Sequence, residues 1–151
     1  MSIAPRVELN GHSALRIEFE LPRGPTAPAR ARTEIRRAIA GRLPEDDAAT
    51  VALLTSELVT NAVVHAEQPE DAGIGLRITS YEDRLCVEVI DSGPGFDAST
   101  LFTRRPVHCG AGLFLVECLA SRWGAAHQGD GEAQNFCVWF ELDDQPPPAA
   151  A

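Results

Sequence analysis

Glu57 and Asn61 stand four residues apart in Thr55-Ser56-Glu57-Leu58-Val59-Thr60-Asn61-Ala62-Val63-Val64-His65, a carboxylate and an amide in an otherwise aliphatic run. Four-residue spacing puts both on one side of a helix, about 5–6 Å apart at Cβ. Polar groups set among aliphatic side chains are costly unless something satisfies them. One reading is chemical: the Asn61 oxygen ligates a hard cation while Glu57 polarises a hydroxyl or water. The other is a hydrogen-bonded pair capping a neighbouring loop, and this segment alone does not choose between them. His65 lies one turn further on, where a lone histidine at a helix end is ordinarily structural.

Two glycine turns extend the pattern. Val87-Glu88-Val89-Ile90-Asp91-Ser92-Gly93-Pro94-Gly95-Phe96 reads as a strand that delivers an aspartate into Gly-x-Gly. Asp91 there is suited to accept from an exocyclic amine, and Gly93 and Gly95 let backbone approach a ring closely. An ordinary Asp-Gly turn ending a strand explains the same residues. Cys109-Gly110-Ala111-Gly112-Leu113 precedes a helical stretch. Gly-x-Gly at a helix N-terminus exposes N–H groups and the positive dipole end, a seat for phosphate. It is neither a P-loop, lacking the Lys-Ser/Thr, nor a dinucleotide fingerprint.

The elements that must hold these residues follow from periodicity. Ala14 to Leu21 alternates as a strand with one buried face. A helix is expected from near Pro28 to near Gly41, with Arg30, Arg32, Arg36 and Arg37 on a face that reads as solvated helix surface. A second begins after Pro44, with Glu45, Asp46 and Asp47 where the macrodipole favours negative charge, and runs to about His65. Ile74–Ser80 and Arg84–Ile90 form a hairpin about a Glu82-Asp83 turn. A third helix is expected from Gly112 to Gly124, with Leu113, Val116, Ala120 and Trp123 as its buried stripe. Phe136 to Leu142 closes the series as a strand. The order implies an α+β two-layer sandwich, helices on one face of a mixed, mainly antiparallel sheet. The division expected is an N-terminal extension at 1–13, one domain at 14–143 and a disordered Pro/Ala tail at 144–151.

Composition narrows the function. The chain has 151 residues and a formal charge of −9, which disfavours nucleic acid and anionic membrane as partners. No run of about 18 uncharged apolar residues occurs, and the first residues lack a secretory pattern, so a cytoplasmic protein is expected. Cys86, Cys109, Cys118 and Cys137 are scattered without a CxxC pair and read as small apolar residues, not as metal ligands or disulfides.

In their order, Ser56–His65, Asp91-Ser92-Gly93-Pro94-Gly95-Phe96 and Gly110-Ala111-Gly112-Leu113 resemble the successive boxes of the GHKL (histidine-kinase-like) ATPase superfamily. The resemblance spans roughly Leu15 to Leu142 and implies the Bergerat-type ATP-binding fold. The short form looks like the anti-sigma-factor serine kinases. It implies that Asn61 holds Mg²⁺ against the phosphates of ATP and that Glu57 is the general base. Asp91 would bind the adenine amine directly and through water, Gly95 would line the base pocket, and Gly93 belongs to the same nucleotide-binding loop. Gly110, Gly112 and Leu113 would offer backbone to the phosphates. A lid would span Phe96 to Cys109, with Arg104 and Arg105 in it. The implied partners are a small STAS-type anti-anti-sigma protein, phosphorylated on serine, and a sigma factor; a homodimer is also compatible. Relatives open the last strand with glycine and threonine near the adenine. Here Asn135 and Cys137 are read at those positions, which leaves a catalytically weak nucleotide-binding interaction module as the alternative function.

Overall fold

The computed structural model describes residues 6–10, 14–65, 72–93, 95, 111–129 and 135–144. Within them the chain runs β1 (Arg6–Asn10), β2 (Ala14–Leu21), α1 (Ala27–Ile39), α2 (Glu45–His65), β3 (Ile74–Ser80), β4 (Arg84–Asp91), α3 (Ala111–Leu119), β5 (Arg122–Gln128) and β6 (Asn135–Asp143). The six strands form one sheet in the order β1-β2-β3-β4-β6-β5. Among the described residues all five pairings are antiparallel, including the two that flank β6, in line with the mainly antiparallel sheet expected.

Register assigns each strand two faces. Ile74, Leu76 and Ile78 alternate with Gly75, Arg77 and Thr79 along β3, and Leu85, Val87 and Val89 with Cys86, Glu88 and Ile90 along β4. The aliphatic set is buried and joins one core with Val138 and Phe140 of β6. The helices cover that face only. In α1 the buried residues Ala27, Ala31, Ile35 and Ile39 recur every four positions, a stripe that docks on α2 and β2. Helix α2 lies over β4 and carries Val51, Leu54, Leu58, Val59 and Ala62 into the core. Its first turn holds Glu45, Asp46 and Asp47, as the macrodipole favours. By length and composition α2 could cross a membrane, but here it is the core helix, with 50% of the relevant window buried in the domain.

The arginines of α1 face outward. Arg36 pairs with Glu45 at 3.2 Å and Arg37 with Glu34 at 3.7 Å. On the opposite face of the sheet, Arg77 bridges Glu18 of β2 at 2.8 Å and Glu88 of β4 at 3.4 Å.

Two elements depart from expectation. Residues Arg6–Asn10, assigned to an extension, form β1 and pair with β2 through Val7↔Ile17 and Leu9↔Leu15. The third helix stops at Leu119, and Trp123 and Gly124 belong to β5 instead. Val116, Ala120 and Trp123 are in phase with a helical stripe, which is why the sequence reads on. The ladder to β6, begun by Ser121 N–H donating to the Glu141 carbonyl at 2.9 Å, overrides that local pattern. Gly124 is no helix cap. The Trp139 indole lies across it, 2.7 Å from where a Cβ would be, so no side chain fits there. Gly110, the Phe96–Cys109 lid with Arg104 and Arg105, and residues 145–151 lie outside the described residues.

Candidate functional site

On α2, every hydroxyl near the site already has a partner in its own helix. Thr55 Oγ1 donates to the Val51 carbonyl at 2.7 Å, Ser56 Oγ to Leu53 at 2.8 Å and Thr60 Oγ1 to Ser56 at 2.7 Å. Glu57 and Asn61 differ from these. Both are half-buried, at the border between the core face of α2 and solvent. Neither takes part in any side-chain hydrogen bond or ion pair described among these residues. Among the described residues, then, nothing pairs Glu57 with Asn61 or caps a loop with either.

Glu57 is instead set against the start of α3. A Cβ on Gly112 would lie 2.7 Å from Glu57 Oε2 and 3.2 Å from its Cβ. The absence of a side chain at 112 thus admits the carboxylate to the first turn of α3, where the positive helix end favours negative charge. Leu113, the next residue, is buried at 3% exposure and pins this turn to the core. Helix α2 and α3 pack together, so the sequence-predicted Glu57, Gly112 and Leu113 do converge.

Asp91 ends β4. Its Oδ1 accepts the Gly93 N–H at 2.7 Å, and Gly93 is buried. The Asp-Gly turn is therefore real, and it fixes one oxygen of the carboxylate. Gly95 follows with φ +73°, a conformation that glycine adopts without strain. A Cβ there would fall 2.3–2.6 Å from Cδ2, Cε2 and Cγ of Phe136, so the loop backbone lies directly on that ring.

Phe136 is the residue that sequence reasoning missed. Antiparallel register pairs it with Asp91, on the core-facing side of the sheet. Cys137, expected near the adenine, is paired with Ile90 on the opposite face. There its Sγ sits 3.9 Å from Glu88 Oε1. Burial, reinforced by the Glu88 charge, pushes the Cys137 thiol up to about 12. Side-chain period in a strand is two, so a one-residue difference in reading exchanges the faces. Strict alternation with the buried Val138 and Phe140 was the available signal: 136, 138 and 140 share a face.

A cavity of about 490 Å³ opens beside Asp91 at the ends of β2, β3, β4 and β6. Glu18, Glu20, Ile90 and Asn135 are among its lining, whereas Glu57, Asn61 and Gly112 are not. It is thus not the space between α2 and the sheet.

A sequence model of the histidine kinase-like ATPase domain matches residues 21–138. The chain belongs to that family. This histidine kinase-like ATPase domain is also similar to serine-protein kinases called RsbW. The one from Bacillus velezensis is 37% identical over 86 residues, 49% of this chain and 54% of the relative. That of Listeria monocytogenes serotype 4a is 39% identical over 82 residues, 44% and 50% respectively. That of Bacillus mycoides is 34% identical over 85 residues, 49% and 53%. The chain spans about half the length of the curated relatives it matches. Membership of the histidine kinase-like ATPase family implies ATP binding.

Proposed function

We propose that this domain is an Mg-ATP-dependent protein serine kinase that regulates transcription, phosphorylating a small STAS-type anti-anti-sigma protein and sequestering a sigma factor. The observation that carries the reading is the Glu57 carboxylate at the first turn of α3, against Gly112 and one helical turn from Asn61. Phosphoryl transfer to a hydroxyl asks for a base near the nucleophile and a cation near the phosphates. Glu57 and Asn61 supply the groups for both.

The residues present suit Mg²⁺ and ATP. Among the described residues no cluster of three or more His, Cys, Asp or Glu forms a metal cage. Mg²⁺ characteristically takes one or two protein oxygens, phosphates and water, so a single amide ligand such as Asn61 Oδ1 fits it. Gly112 brings helix backbone close without a side chain, as a phosphate seat requires. When bound, Mg-ATP supplies the phosphoryl group and the charge that compensates it. The chain's own part is fourfold: Asp91 accepts from the base, Gly93 and Gly95 shape its loop, and Gly110, Gly112 and Leu113 are assigned to offer backbone to phosphate. Lastly, Glu57 Oε takes the proton from the acceptor serine Oγ.

The charge of −9 supports protein partners over nucleic acid. We assign the domain to the cytoplasm, where such partners reside; a homodimer is compatible with this role. Asn135 and Cys137, where relatives open the last strand with glycine and threonine, support a second reading, an interaction module that binds nucleotide and transfers little phosphate. The test is incubation with γ-labelled ATP, Mg²⁺ and a lysate of the source cell, comparing wild type with Glu57→Ala. A small protein labelled by the wild type alone is expected. Equal labelling by Glu57→Ala would remove Glu57 from the chemistry, and ATP binding without any labelled protein would favour the second reading.

A further inference from the structure

Across β4, β6 and β5, one row of the core-facing side reads Asp91, Phe136, His127, since Asp91 pairs with Phe136 and Phe136 with His127. Phe136 is only 2% exposed, with neighbours on three sides. On one side lies Asp91, at the separation of directly opposed strand residues, about 4.5–5.5 Å between Cβ atoms. On the other, His127 meets the ring edge-to-face, with centroids 5.1 Å apart and planes at 63°, a favourable aromatic arrangement. Above, the backbone of Gly95 lies on the ring at a distance that no residue with a Cβ could match.

The loop that carries the acceptor group therefore has two anchors. One is polar, the Gly93 N–H on Asp91 Oδ1. The other is apolar, Gly95 on Phe136. The first turns the chain back, and the second sets how far it folds down over the sheet.

We infer that Phe136 is a positioning residue for base recognition: the Gly95–Phe136 contact holds the Asp91 carboxylate in the orientation that selects adenine over guanine. The inference rests on the nucleotide-site reading above. Adenine presents an amine donor where guanine presents a carbonyl, so a carboxylate aimed there accepts from one and repels the other. The ring itself, covered by Gly95, does not stack on the base. It acts through Asp91.

Phe136→Leu keeps an apolar side chain in the core but gives up the flat face under Gly95. Gly95→Ala leaves Phe136 in place and breaks the same contact from above, adding a Cβ at 2.3 Å and a strained φ. Affinities for ATP, GTP and inorganic tripolyphosphate, each with Mg²⁺, are measured by calorimetry on the full chain. In both variants the preference for ATP over GTP is expected to fall at least about tenfold, the scale of one lost hydrogen bond to a charged group. Tripolyphosphate affinity is expected to stay within about threefold, because the phosphate seat is on α3. An unchanged ATP/GTP ratio in folded variants would make Phe136 a core residue only and overturn the inference. So would equal losses for all three ligands, which report general loosening. If the wild type binds none of them, the nucleotide-site reading itself fails, a result distinct from either.

Discussion

Gly112 and Glu57 are in contact across the α2–α3 junction so closely that a Cβ on Gly112 would stand 2.7 Å from the Glu57 carboxylate. The nearest obstacle is the end of a flexible side chain, so Gly112→Ala is accommodated by moving Glu57. Alanine also favours the helix by about 1 kcal/mol over glycine. Thermal stability should therefore hold or rise slightly, while single-turnover phosphotransfer drops about 10–100-fold because the base is displaced. Combined with Glu57→Ala, which alone should cost about 10²–10⁴-fold, it should add nothing further. A wild-type rate in Gly112→Ala would disconnect this contact from the chemistry.

Asp91→Asn separates the two duties of Asp91. Asparagine retains an Oδ1 acceptor for the Gly93 N–H, now bonded at 2.7 Å, so the turn should persist. What changes is the second atom and the charge. ATP binding should weaken by about 1.5–3 kcal/mol, the range for a hydrogen bond to a charged group. Calorimetry showing equal affinity would mean that Asp91 serves the turn alone.

These residues also mark how far sequence carries. The acidic start of α2, the β3–β4 hairpin and the alternation of β6 each have strong local signals, and all three appear within a residue or two of their expected bounds. Strand β5 has none: Arg-Trp-Gly-Ala-Ala-His-Gln neither alternates cleanly nor carries β-branched residues, and its pairing with β6 defines it. Strand β1 likewise takes its place from β2. In the site, Glu57 and Asn61 are legible because helical spacing is robust. Phe136, which pairs with Asp91, is not legible there, because neighbouring strand residues such as Cys137 lie on the opposite face and only the register tells which one faces Asp91. The Glu57–Gly112 approach is a contact between distant elements, and periodicity carries no information about it.

The Arg77 bridge is a stability element remote from the nucleotide layer. Its guanidinium holds the Glu18 carboxyl below its usual value of 4.5, chiefly through their hydrogen bond. A depressed carboxylate stabilises the fold above its unfolded pKa, and this contribution is lost as pH falls through the folded value. Arg77→Met should lower unfolding free energy by about 1–2 kcal/mol at pH 7, a modest figure because solvent screens the half-exposed pair. Urea titrations should also show a shallower loss of stability below about pH 4.5 in the variant than in the wild type. Parallel acid profiles would show that the bridge contributes nothing to this window.

The thiols supply a test of which face Cys137 occupies. Burial pushes Cys86 and Cys137 from 9.0 up to about 12, with the Glu88 charge as the second cause for each. Raised in the folded state, these groups stabilise the fold fully below about pH 9, and that contribution is lost as pH rises towards about 12. At pH 8 the thiolate fraction is then about 10³-fold smaller than in the unfolded chain, and thiolate is the reactive form. Iodoacetamide should modify the exposed Cys118 in the native protein, and Cys86 and Cys137 only after urea is added, as read by peptide mass spectrometry. ATP gives the decisive comparison. Cys137 points away from the α2–β4 layer, beside Glu88, so saturating Mg-ATP should slow its residual labelling no more than that of Cys86. Selective protection of Cys137 by ATP would return it to the nucleotide's surroundings and displace Phe136 from the role argued for it.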